Sequence, residues 1–195
     1  MGAIFLSASV PSKPPFDIDC RPQEIQSAIG ALAMVLLGRR KLVWGGHPAI
    51  TPVLWAAAQS VGVKYATAVH LFQSRFWTEE DFPLENQHFG NVTYVEAVDG
   101  DRDKSLLAMR EVMLRTEPFD AAIFIGGMDG IFDEHALFSA IWPNAKFLPV
   151  AATGGASREL AARMNYQAPT DIGPLDFMRL FHRELAISPR QRRKA

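Results

Sequence analysis

Short apolar runs alternate with stretches of helical periodicity along the whole chain. The runs fall at residues 3–8, 41–44, 65–71, 92–98, 121–125 and 147–151, and most are apolar at consecutive positions. That pattern fits strands of a parallel sheet buried on both faces. Between the first two runs, Ile25, Ile29, Leu32, Ala33 and Leu36 recur at helical spacing and predict a helix over 23–37, ended by Gly38. Further helices are predicted over 52–60, over 101–115 with Asp101 or Asp103 as N-cap, over 131–141, over 156–164, and over an amphipathic 175–185 that follows Gly173-Pro174. Strict alternation of the two element types is the α/β signature. It predicts a Rossmann-like, doubly wound, mainly parallel sheet of about six or seven strands flanked by helices.

Two segments break the pattern. VPSKPPFDIDCRP, residues 10–22, carries four prolines and must loop over the end of the first strand, as a functional lid or as plain surface. Residues 72–91 mix Phe72, Phe76, Trp77, Phe82 and Phe89 with Arg75 and His88. Aromatic side chains there stack on a base or anchor the loop.

Chemistry gathers at the strand ends. In AAIFIGGMDGIFDE, residues 121–134, an apolar strand meets Gly126, Gly127, Met128, Asp129 and Gly130 and then a helix carrying Glu134. Glycines let a phosphate approach the backbone, and the first amides of a helix and its dipole favour an anion. A plain strand-to-helix turn is the structural alternative. KLVWGGHPAITP repeats the grammar with Gly45, Gly46 and His47, and Thr51-Pro52 supplies an N-cap and a first helical proline. FLPVAATGGAS gives Thr153, Gly154 and Gly155, and the first strand ends in Ser7 and Ser9. In a doubly wound sheet all four lie along the carboxyl edge, where ligands bind at the topological switch point.

Composition narrows the class. A chain of 195 residues with 48% hydrophobic residues can bury one full core, so residues 1–187 are expected to form a single domain. Residues 188–195, with Arg190, Arg192, Arg193 and Lys194, are expected as a basic disordered tail. A net charge of −1 gives no sign of a nucleic-acid partner. The single cysteine, Cys20, rules out an internal disulfide, and with no apolar stretch of spanning length a cytoplasmic protein is expected. Neither a metal nor a cofactor is expected: Asp129, Asp133 and Glu134 share one short stretch without histidine ligands that must lie beside them.

FLSASVP, WGGHPAITP, SLLAMREVM, FIGGMDGIFDE and PVAATGG, in that order, resemble the SLOG superfamily, in particular stand-alone and TIR- or sirtuin-associated SLOG domains. The superfamily includes the LOG phosphoribohydrolases and nucleotide-ligand sensors of bacterial immunity operons. In LOG enzymes the glycine loop reads PGGxGTxxE; here Ile125 replaces the proline, Ile131 the threonine, and one residue is added before Gly130, while Glu134 matches. Of the LOG arginine-lysine pair only Arg110 has a counterpart. These departures weigh against hydrolysis and leave nucleotide binding.

The resemblance implies a nucleotide- or NAD-derived ligand, such as ADP-ribose or a cyclic derivative, lying across the strand ends. Its phosphate would be held by the glycine turns with Thr51, Thr153, His47 and the charge of Arg110. If the domain is catalytic, the chemistry is N-glycosidic cleavage with Glu134 at the ribosyl cation and Arg110 beside it. Glu134 as a helix-start glutamate favoured by the dipole is the structural alternative. Sensor and glycosidase both stay open. A homodimer is expected from the apolar surplus of the 101–115 and 175–185 helices, and a sensor would also need an effector protein to control.

Overall fold

The computed structural model describes residues 2–194 except 63 and 65–67. Six strands form one all-parallel sheet: β1 (Ala3–Ser9), β2 (Leu42–Trp44), β3 (Val69–Ser74), β4 (Val92–Val95), β5 (Phe119–Gly126) and β6 (Lys146–Pro149). Their order is β4-β3-β2-β1-β5-β6. The chain winds outward from β1 to β4 and then crosses back to β5, so the switch point lies between β1 and β5. There Ser7 pairs in register with Phe124 and Ser9 with Gly126.

Strand residues alternate between two cores, as a sheet covered on both faces requires. Ile4, Leu6, Leu42, Trp44, Ile123 and Ile125 face α1 (Pro22–Leu36), α2 (Thr51–Val61) and, through α1, α6 (Phe177–Glu184). Phe5, Val43, Phe72, Ala122 and Phe124 face α3 (Arg102–Arg115), α4 (Gly130–Ile141) and α5 (Gly155–Arg163). The helices change face where the strand order reverses.

Several boundaries differ from the sequence reading. β3 runs to Ser74 rather than ending at 71, because Gln73 and Ser74 still pair with Tyr94 and Val95; the expected start at 65–67 lies outside the described residues. β4 stops at Val95, and Asp99 and Gly100 turn the chain at positive φ into α3. Asp101 caps α3, accepting from the amides of Asp103 and Lys104. Thr51 is not the N-cap of α2. It is the first helical residue, with Pro52 second and Ile50 as cap. The segment after Ser188, expected as a tail, sets Arg193 on the carbonyls of Leu37 and Met34, both at 2.6 Å, where the C-terminal dipole of α1 favours a cation.

The fold also takes imidazoles out of water, His70 almost fully and His135 in part. His135 sits edge-on to Phe124 and Phe147, at 5.7 and 5.2 Å between centroids, and His70 stacks on Phe72 with Nε2 2.9 Å from the Thr93 hydroxyl. Burial lowers both pKa values below the ordinary 6.5, with Lys41 adding to the effect at His70. The unfolded chain then binds more protons than the fold below about pH 6.5, so stability present above that pH is lost as pH falls through the lowered values. Thermal melts should show Tm falling between about pH 7 and 5, and falling less in His135→Leu. A flat profile in the parent chain would show that neither ring is desolvated.

Candidate functional site

Every expected glycine turn lies at the carboxyl edge of the sheet, yet the turns are not equivalent. At the end of β5, Gly126 and Gly127 both have positive φ, +62° and +80°. Their amides are already engaged: Gly126 N–H donates to the Thr153 hydroxyl and Gly127 N–H to the Ser9 carbonyl, both at 2.9 Å. These glycines therefore shape the turn rather than offer donors. The first local bonds of α4 run from Ile131 N–H to Met128 and from Phe132 N–H to Asp129. The amides of Met128, Asp129 and Gly130 thus precede the helical ladder, where helix starts leave donors without an intrahelical partner.

Arg110 of α3 reaches this helix start. A Cβ on Gly130 would stand 2.7 Å from its Nη2, which places the guanidinium close against this glycine. Nε of Arg110 donates to Glu134 at 3.1 Å and Nη1 to Asp133 at 3.3 Å. Arg110 is 11% exposed and Glu134 18%, while Asp133 faces water. The structure thus brings Arg110 and Glu134, the two residues expected to act if the domain is catalytic, into contact one turn into α4. His135, next in sequence, turns instead, half-buried, to the rings of Phe124 and Phe147.

The second turn lies two strands from β5. Across β1, two inter-strand spacings separate the ends of β2 and β5 by about 10 Å, a span suited to a diphosphate or a ribose phosphate. Gly46 has φ +75°, and a Cβ on it would fall 2.0 Å from Nε2 of Gln73. Gln73 is buried at the end of β3 and donates weakly to the Gly45 carbonyl at 3.4 Å. The sequence reading missed Gln73 and its buried neighbour Ser74 because it ended β3 too early; polar residues directly after an apolar run were the available signal. The carbonyl of His47 accepts from the amides of Ile50 and Thr51 and from the Thr51 hydroxyl at 3.1 Å. Thr51, fully buried, therefore closes the turn. The His47 ring accepts from Ala49 N–H at 3.2 Å, and burial lowers its pKa, so it stays neutral near pH 7.

The third turn is structural in a similar way. The hydroxyl of buried Thr153 donates to Val150 at 2.7 Å and contacts Ser157 at 3.1 Å while receiving Gly126 N–H. Gly155 N–H donates to the Asp19 carboxylate at 3.0 Å, and the next amide, Ala156, donates to the Gly127 carbonyl. Ser7 is buried at the end of β1 beside these turns. A cavity of about 300 Å³ lies away from these turns around Phe119 and Trp142, and one of about 460 Å³ between α4 and α5 is lined by Asp133, the outer partner of Arg110. Among the described residues no cluster of His, Cys, Asp or Glu is arranged to hold a metal, and no helix is long and apolar enough to cross a membrane.

A family model described as the SLOG cluster3 family matches residues 18–185, which span all of these turns except the end of β1. No curated protein matches the chain.

Proposed function

Since the chain belongs to the SLOG cluster3 family, whose character is nucleotide-related, we propose that it binds and senses a nucleotide- or NAD-derived ligand such as ADP-ribose or a cyclic derivative. One observation carries this reading: at the switch point the Arg110 guanidinium lies beside Gly130, at the helix start where the amides of Met128 to Gly130 precede the ladder. Helix amides and a guanidinium at one place supply two kinds of donor to one phosphate. The turn at Gly45 and Gly46, with Gln73 above it, lies where the far end of a dinucleotide would reach.

Sensing is favoured over hydrolysis by the state of Glu134. Its carboxylate is paired with Arg110, which suits charge balance in a binding site; a glycosidase needs that carboxylate directed at the ribosyl carbon or a water. N-glycosidic cleavage remains the second reading because Glu134 matches the LOG motif. An effector partner, as in bacterial immunity systems, and a second copy of the chain belong to the same proposal. Exposed Leu107 and Val112 on α3 and Met178 on α6 are available for such contacts, though the two helices cover opposite faces of the sheet.

Incubation with AMP, NAD and ADP-ribose, followed by chromatography and calorimetric titration, separates the readings. Binding without release of base or nicotinamide is expected, and turnover of any of the three would replace the sensor by the hydrolase. Sedimentation in the same samples should give a dimer mass; a monomer at low micromolar concentration, with and without ligand, would remove the paired form.

A further inference from the structure

Residues 10–21 leave β1 at the switch point, cross the end of β5 to reach α4 and α5, and return to α1 on the other face. Two anchors hold them there. Phe16, buried, packs on Phe132 in the first turn of α4 with centroids 6.1 Å apart. Asp19 makes the second anchor: Oδ1 accepts from Gly155 N–H at 3.0 Å, and Oδ2 lies 2.8 Å from Nη1 of Arg158. The backbone follows the same path. Arg21 N–H donates to the Thr153 carbonyl at 3.2 Å, and the Asp19 carbonyl lies so near Gly154 that a Cβ there would be 2.0 Å away. Around the anchors, residues 12–15 are exposed and Ile18 is 81% exposed.

We propose that Asp19 latches this segment shut across the end of β5, gating ligand entry to the helix start at Met128 to Gly130. The inference rests on the proposed ligand reading and deepens it by assigning the site a gate. Three features support a latch rather than a fixed part of the core. The Asp19 and Arg158 side chains are 40% and 38% exposed, and an ion pair that wet is weak enough to open. The segment otherwise contributes few buried side chains, so opening at Asp19 leaves the sheet intact. Finally, Thr153 links latch and site: its carbonyl takes Arg21 N–H while its hydroxyl takes Gly126 N–H.

Cys20, the only cysteine in the chain and partly buried beside Asp19, reports the state of the latch. Its labelling by an aromatic disulfide reagent should accelerate in Arg158→Gln, which breaks the ion pair and leaves in place the Asp19 and Asp17 charges that, after burial, hold the thiol pKa up. Stopped-flow mixing with ADP-ribose should show association about two- to fivefold faster in both Arg158→Gln and Asp19→Asn, the scale of a partly exposed ion pair. Unchanged labelling in Arg158→Gln overturns the latch whether or not ligand binds. Faster labelling with an association rate equal to that of the parent chain overturns the gate while leaving the binding reading in place. No binding by the parent or either variant overturns the ligand reading and the gate together.

Discussion

Gly127→Val should destabilise the folded chain by about 2–5 kcal/mol, read as a shift in the urea midpoint at unchanged slope. Two separate conflicts add. The residue sits at φ +80°, where a β-branched side chain is strained by about 1–3 kcal/mol. A Cβ there would also stand 2.0 Å from Cδ1 of Ile131, which is 3% exposed and packed in the core beneath α4, so the isoleucine must leave its place. The backbone has little freedom to relax, since Gly127 N–H is bonded to Ser9 and its carbonyl to Ala156 N–H. From the motif alone a valine here is expected to obstruct a phosphate and spare the fold. The structure makes it a folding defect first, so loss of ligand binding in this variant carries no information about the site. A midpoint within error of the parent chain would show that the turn adapts and that the glycine is not required by packing.

The same turn shows how much could be read from the chain alone. Six strands, their parallel order of burial and the gathering of small residues at one edge were legible, because each depends on local periodicity and on residues close in sequence. What the small residues do there was not legible. Thr153 reads as a ligand contact, yet its hydroxyl serves Gly126, 27 residues away. Thr51 reads as a helix cap and instead ties its turn to His47. Asp19 gave no signal at all, because its partner Gly155 lies 136 residues along the chain and no periodicity links them. Arg110 and Glu134 were paired only through the family motif; their contact depends on how α3 and α4 pack, which neither helix encodes by itself.

That contact sets the expectation for the variants at the site. Arg110→Ala should weaken ADP-ribose binding by about 1.5–3 kcal/mol, the range of a charge-assisted hydrogen bond to phosphate. It should also lower stability, since Glu134, 18% exposed, loses its partner while remaining largely covered. Melts must therefore accompany the titrations. Glu134→Gln separates the two effects, because it keeps the shape of the side chain and removes the carboxylate that competes with a ligand phosphate for Arg110. In a sensor, affinity should hold or rise and no product should form in either chain. In a glycosidase, Glu134→Gln should bind normally and lose turnover that the parent chain displays. Calorimetric titration of ADP-ribose, with chromatography of the same samples, distinguishes these patterns. Folded Arg110→Ala that binds as tightly as the parent would take the guanidinium out of the site and leave the start of α4 as a structural turn.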